Sequence, residues 1–455
     1  MKVLFVRPRP SPETIGLQHL MVVEPLELEI LAALIRKKND VKIVDMILEK
    51  EDLGYFINEY NPDVLCLTGY ITHIPVIISY CKTAKQINKK IITIAGGVHI
   101  EKFPEDADDE AVDYRVVRNA AITFPELINH FKGFSEFPSG VLRTHEIMEE
   151  SKLPAYDFYV APPDRSLTNK YRNKYFYIFH NKVALIKTSF GCPYKCKFCY
   201  CRKITGDKYF ARPLDEVMDE LSSIKEKEIY IIDDDFLISK NRLREFIRSL
   251  KERRINKKYL IYGRADFIAE NPDIIKEFRE VGLRTIIVGL ESFDDVELNE
   301  FNKQTSSNTN KKAMEVLNKY KVDCYAAVII SPSWSHEDFK KAGDIMTDLG
   351  IKFVNLQPLT PLKGTGINVR EEDLVISRTD YVKWDLAHVA IRPEKMSLED
   401  FYKNILNLYI RIIQNPKNFF KNLKYPLNMQ LKMASGLSRV KKQYQKRIME
   451  IAEHA

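Results

Sequence analysis

The chain has 455 residues, 45% of them hydrophobic, and 70 Lys and Arg against 63 Asp and Glu give a formal charge of +7. That length carries two or three domains with full cores, and no apolar run approaches the roughly 20 residues that cross a bilayer. Seven cysteines, three of them in one ligand spacing, suit a reducing cytosol better than a disulfide framework, and MKVLFVRPRP enters a strand pattern without a signal-peptide layout.

Residues 1–130 alternate strand and helix patterns. Val3–Val6, Val41–Val44, Val64–Leu67 and Ile91–Ile94 are apolar, β-branched runs that predict strands. Pro25 can open a helix whose Leu26, Ile30, Leu31, Leu34 and Ile35 recur at helical spacing, and further helical patterns cover Asp52–Tyr60 and Pro75–Ile87. This βαβα rhythm predicts an α/β doubly wound, Rossmann-like sheet, with ligands beyond the carboxyl ends of its strands. Arg7–His19 falls there, as do Thr68, Gly69, Tyr70, Thr72 and His73, and then Gly96, Gly97 and His99. Paired glycines let a backbone approach a bulky ligand closely, although such a pair after a strand is more often a turn. Residues 131–181, with Pro138, Pro154, Pro162 and Pro163 and no clean period, read as an extended connector. It ends in an aromatic, basic run from Tyr171 to His180.

Residues 182–370 resume the alternation. Val183–Ile186 is a buried-strand pattern, after which Gly191 and Pro193 break the chain and Cys192, Cys196 and Cys199 follow in C-x3-C-x2-C spacing. Three thiolates on one loop can hold three irons of a 4Fe-4S cluster and leave a fourth open. The alternative is a zinc site completed by Cys201 or a distant His. Strand patterns at Glu228–Ile232, Tyr259–Tyr262, Arg284–Gly289, Asp323–Ile330 and Phe353–Leu356 bring the count to six, a partial (β/α)6 barrel with active groups at its carboxyl ends. Residues 371–455 read as a helical, basic region. From Phe401 to Met449 there are eleven Lys or Arg and no Asp or Glu, interleaved with Leu406, Leu408, Tyr409, Ile410, Ile412, Ile413, Phe419, Phe420, Leu423, Tyr425, Leu427, Met429, Leu431 and Met433. Such a composition suits an interfacial helix on the inner face of a membrane. The competing expectations are packing on the chain's own domain and a nucleic-acid surface, the last the weakest.

The cysteine loop, with Phe198 before its last cysteine, resembles the signature of radical S-adenosylmethionine (SAM) enzymes. Preceded by a doubly wound domain, it is similar to the cobalamin-binding subgroup. That resemblance implies three cofactors: a 4Fe-4S cluster on Cys192, Cys196 and Cys199, SAM on the open iron, and cobalamin at Thr68–Thr72 and Gly96–His99. It implies SAM contacts from Phe198, from Asp233 and Asp234 in D-D-x-F, from Arg264 in G-R-A-D and from Glu291 in G-L-E-S. No D-x-H-x-x-G motif is present, so the resemblance implies base-off cobalamin with an open or weakly occupied lower face, and a G-E-G-E-like turn reads Arg118-Asn119-Ala120-Ala121 instead. T-I-G-L-Q near Thr14, E-P-L-E-L-E near Glu24, F-C-Y-C-R-K-I-T-G after the cluster loop and W-D-L-A-H at Trp384–His388 look like the hopanoid C-3 methylase type. The resemblance implies methylation of an unactivated carbon in a lipid-like substrate, with ferredoxin or flavodoxin as electron donor. The alternatives are a cyclase or carbon–carbon coupling enzyme, and a cobalamin-binding regulator with a vestigial barrel.

Overall fold

A computed structural model describes residues 1–415 and 424–453. The N-terminal sheet has strands β1 (Lys2–Arg7), β2 (Asp40–Asp45), β3 (Val64–Thr68), β4 (Ile92–Gly96), β5 (Tyr114–Val116) and β6 (Val141–Arg143), in the order β2-β1-β3-β4-β5-β6. All pairs are parallel except β5 with β6. The order reverses between β1 and β3, so the ligand crevice of such a fold opens at Arg7 and Thr68–Tyr70. Helix Leu26–Ile35 starts at Pro25 as expected, but its buried face includes Leu28, Glu29 and Ala32. The sheet also runs past the expected boundary at 130. Strand β6 is only three residues long, too short to show a period of two, and the supposed connector therefore supplies the sheet's edge.

The rest of that connector is ordered as well. A 3-10 helix covers Arg165–Lys174, and the short strands Phe176–Tyr177 and His180–Asn181 form a small sheet with Met21–Val22. The second large sheet comprises β7 (Val183–Ile186), β8 (Glu228–Ile231), β9 (Lys258–Arg264), β10 (Leu283–Glu291), β11 (Asp323–Ile330) and β12 (Phe353–Pro358). All six are parallel and neighbours follow chain order, with β7 and β12 at the open edges. Leu185, Tyr230, Leu260, Ile287 and Tyr325 fill the interior together with Leu26 and Tyr177 from outside the barrel.

The C-terminal region departs from expectation in two ways. Residues 371–397 hold only two short 3-10 turns, and they tie the chain back to the N-terminal domain: Tyr381 donates to Asp106 and Asp385 accepts from the Ile15 amide. Helix Leu398–Ile413 buries Phe401, Tyr402, Ile405, Leu408 and Ile412 in the barrel core, and helix Leu427–Glu453 buries Met429 and Met433 against Tyr171, Tyr175 and Phe176. Much of the expected membrane-facing stripe is therefore core, because its period serves intramolecular packing. Several of its charges are partnered too, Lys424 by Asp323, Arg411 by Asp344 and Arg447 by Glu450. Leu427 and Leu431 stay exposed; Phe419, Phe420 and Leu423 lie outside the described residues. No described helix is long and apolar enough to cross a membrane.

Candidate active site

The cysteine loop leaves β7 at the carboxyl end of the barrel. Gly191 has φ +78°, and a Cβ there would stand 2.0 Å from the Lys208 carbonyl oxygen, so only glycine permits the turn. Outside contacts brace the loop: the Lys197 amide donates to Phe301 O (2.9 Å), the Gly366 amide to Lys197 O (2.7 Å) and the Asn302 side chain to Lys195 O (2.8 Å). Cys192, Cys196 and Cys199 are half-buried and free of disulfides. Burial pushes the Cys192 thiol up to about 12, while a hydrogen bond with Cys201 draws Cys199 down to about 7. Among the described residues no three His, Cys, Asp or Glu side chains are gathered for a single ion. Three thiols spread over one loop instead suit the corners of a cluster. Two buried cations compensate that charge: Arg264 Nη1 lies 3.8 Å from Cys196 Sγ, and Lys303 acts favourably on the same thiolate. The donor set fits a 4Fe-4S cluster.

The two aspartates expected to face SAM are occupied by the loop itself. Asp233, 1% exposed, accepts from the Thr188 amide (2.6 Å), Thr188 Oγ1 (2.5 Å) and Ser189 Oγ (2.7 Å). Asp234 accepts from the Gly191 amide (2.9 Å), with Lys187 Nζ at 3.6 Å. Asp233 thus serves as a loop anchor, with three donors already on its two oxygens. The carboxylate left with an unpartnered buried oxygen is the next residue, Asp235. Its Oδ1 accepts from the Leu237 amide (3.0 Å) while Oδ2 has no partner, and burial pushes its carboxyl up to about 7.

Arg264 ends β9. Its Nε lies 3.0 and 3.1 Å from the two Asp266 oxygens, its Nη2 donates to Asp266 (2.6 Å) and Lys303 O (2.7 Å), and its guanidinium covers the Tyr194 ring at 3.8 Å. Glu291 closes β10 with φ +63°, just beyond a register shift at Gly289 that re-aims it. It accepts from Lys303 Nζ at 2.7 Å, both side chains being buried. Phe198 meets Phe301 edge-on at 5.7 Å. Lys303 and Asp235 escaped the sequence reading: a lysine after a helix reads as solvated, and nothing local separates three consecutive aspartates.

On the N-terminal side the two glycine loops touch. Gly97 has φ +108°, and a Cβ there would stand 2.5 Å from Gly69 O, 2.8 Å from Gly69 N and 3.0 Å from Thr68 Oγ1. This floor without side chains, at the switch point of the sheet, fits a flat, bulky ligand such as cobalamin. Tyr70 projects from it, 66% exposed. On this side the N-terminal domain meets the cysteine loop of the barrel. Helix Val98–Lys102 continues the same wall, where Phe103 approaches Tyr200 of the cysteine loop at 6.4 Å.

Two expectations on this side change. Thr72 is buried beside His73, whose Nδ1 accepts from the Tyr70 amide; burial holds that imidazole neutral, down to about 4. His99 binds Asp106 through Nε2 at 2.8 Å beneath Phe103 and Tyr381, which removes it from the ligand-facing set. Arg118, in the altered turn, donates to Pro154 O (3.1 Å) and Glu150 (2.5 Å) and lies 3.8 Å over Tyr156. The connector covers that corner.

Residues 14–128 match the B12 binding domain family and residues 186–346 the Radical SAM superfamily. Over 415 residues the chain is 27% identical to the hopanoid C-3 methylase of Methylococcus capsulatus, covering 89% of this chain and 79% of that protein. It is 23% identical over 387 residues to the anaerobic magnesium-protoporphyrin IX monomethyl ester cyclase of Cereibacter sphaeroides, 79% of this chain and 61% of that one. The radical SAM methyltransferase TsrM of Kitasatospora setae, solved with cobalamin and a 4Fe-4S cluster, superposes with a TM-score of 0.70 at 14% identity, covering 100% of this chain and 99% of the other. The cobalamin-dependent SAM radical enzyme OxsB, solved with aqua-cobalamin and SAM, gives 0.68 at 14% identity, covering 100% and 80%. At such identity these two likenesses concern the fold.

Proposed function

From the premise that this chain belongs to the cobalamin-binding radical SAM enzymes, we propose that it methylates an unactivated carbon of a lipid-like substrate. The observation that carries this reading is the meeting of the glycine-loop wall with the cysteine loop, where Phe103 stands 6.4 Å from Tyr200. When bound, the cluster and SAM supply hydrogen abstraction by a radical, and cobalamin supplies the methyl group. The chain's own work is to hold these groups in line and to exclude water.

Cys192, Cys196 and Cys199 hold the cluster, with Arg264 and Lys303 offsetting its charge. The open oxygen of Asp235 accepts from the SAM amino group, a charge-assisted bond in a buried site. Arg264, its Nε and Nη2 committed to Asp266 and Lys303, keeps Nη1 for the SAM carboxylate. Glu291, oriented by Lys303, serves the ribose hydroxyls, and Phe198 closes the loop side of that pocket. Thr68, Gly69, Tyr70, Gly96 and Gly97 seat cobalamin. A small electron-transfer protein of the ferredoxin or flavodoxin kind reduces the cluster. The similarity to the hopanoid C-3 methylase across 89% of the chain supports the lipid class.

The likeness to a cyclase favours one second reading, oxidative ring closure or coupling. Anaerobically reconstituted protein, supplied with cobalamin, SAM, reductant and a hopanoid, separates the two by product mass. A gain of one methylene unit supports methylation. Loss of hydrogen, or SAM cleavage with the hopanoid unchanged, overturns it.

A further inference from the structure

Strand β7, which delivers the cysteine loop, is an edge strand with no strand on its outer side among the described residues. Its inner side is laddered to β8, where the Ile232 amide donates to Ile186 O (2.9 Å). Alternate residues of a strand direct their amide and carbonyl to opposite sides, so the groups of Leu185 face outward. A buried edge with orphan backbone groups would be costly. Here charged side chains from other segments complete it. Glu24 Oε1 accepts from the Leu185 amide at 2.5 Å, and Arg165 Nη2 donates to Leu185 O at 2.6 Å. Two residues on, Arg212 Nη1 donates to Lys187 O at 2.7 Å. Glu220 joins the two arginines, at 3.1 Å from Arg165 and 2.8 Å from Arg212. The second oxygen of Glu24 is held by Arg172, which also binds Glu226 at 2.8 Å. Glu24 has no exposed side-chain surface, and Arg165 and Arg172 very little.

The opposite edge of the same sheet is finished differently. Tyr409, from the C-terminal helix that packs on the barrel, accepts from the Leu356 amide (2.9 Å) and donates to Leu356 O (3.1 Å). One neutral phenol suffices there. The β7 edge instead draws part of its cap from the N-terminal domain, since Glu24 lies two residues before helix Leu26–Ile35.

We propose that Glu24 is a positioning residue, a side-chain substitute for the missing seventh strand that sets the height of the cysteine loop against the glycine floor. The carboxylate grips the barrel at Leu185, seven residues before Cys192, from the segment whose Val23 carbonyl accepts from Arg7 at the carboxyl end of β1. Separation of the two loops is thereby fixed by a hydrogen bond rather than by the long connector. The link to cluster placement rests on the proposed role of the cysteines; the clamp itself does not.

The test uses the full chain, anaerobically reconstituted with cluster and cobalamin, as wild type, Glu24→Asp and Glu24→Gln. Aspartate keeps the charge for Arg165 and Arg172 but is one methylene too short to reach Leu185. Glutamine keeps the reach and sets its amide hydrogens against the arginines. Amide exchange over residues 183–190 should accelerate about tenfold in Glu24→Asp, as expected for losing a bond to a charged acceptor, with the other barrel strands and the iron content unchanged. The electron paramagnetic resonance change that SAM causes in the reduced cluster should be altered in the same variant. Wild-type exchange at 183–190 in both variants overturns the clamp, as does an acceleration spread evenly over the barrel. Should Glu24→Gln fail to fold, Glu24→Asp decides. Wild-type protein that binds no iron overturns the assignment of the cysteines, and the exchange data still judge the clamp.

Discussion

Replacing Gly97 by alanine should weaken cobalamin binding while leaving the cluster site intact. At φ +108° a side chain is strained whatever the space, and backbone fills the space here: the new methyl would meet Gly69 O at 2.5 Å and Gly69 N at 2.8 Å. Neither atom can yield as a flexible side chain would, because the Gly69 backbone follows β3 directly. A non-glycine residue held in such a region costs on the order of 1–3 kcal/mol, and the contact adds to it. The chain can relieve that strain by parting the two loops, which opens the floor on which the ligand rests. If the strain is charged wholly to the bound state, affinity falls by roughly 5- to 150-fold. Titration of the anaerobic apoprotein with cobalamin, followed by visible absorption, measures this, and iron content serves as the control for the barrel. Wild-type affinity in a folded Gly97→Ala protein would refute the argument that contact between the two loops forms the seat.

Three further outcomes follow from other parts of the site. The triple replacement of Cys192, Cys196 and Cys199 by alanine should abolish both bound iron and SAM cleavage; normal cleavage would end the radical SAM reading. Lys303→Met leaves Glu291 buried without its cation, a loss of about 3–5 kcal/mol visible in denaturant unfolding, and Lys303→Met with Glu291→Leu should recover much of it. An unchanged midpoint in the single variant would show that the pair is not buried in solution. Finally, burial holds the Glu29 carboxyl up to about 7 against an ordinary 4.5, so the native state keeps a proton that the unfolded chain has shed. Stability should therefore fall by up to roughly 3 kcal/mol as pH rises from about 4.5 to about 7 and then level off. Glu29→Gln should remove that slope, and an identical pH profile in the variant would contradict it.

Strand and helix periods, turn residues and the cysteine spacing act over a few neighbours, so they were legible from the chain alone. The six barrel strands, the helix opening at Pro25 and the C-x3-C-x2-C loop are properties of short windows, and each lies within a few residues of its expected bounds. Choices among chemically equal candidates were not legible, because a distant partner makes them. Asp233, Asp234 and Asp235 are indistinguishable as a run; in the fold Thr188 and Ser189 engage the first, while the third keeps a free oxygen. The apolar stripe of the C-terminal helices has the same period whether it faces lipid or protein, and the presence of Tyr171, Tyr175 and Phe176 decided for protein at Met429 and Met433. Glu24 could equally have been a solvated acid ahead of a helix. It became part of the barrel's edge because a six-stranded open sheet leaves Leu185 without a strand neighbour, and an orphan buried amide there would cost about 1–3 kcal/mol.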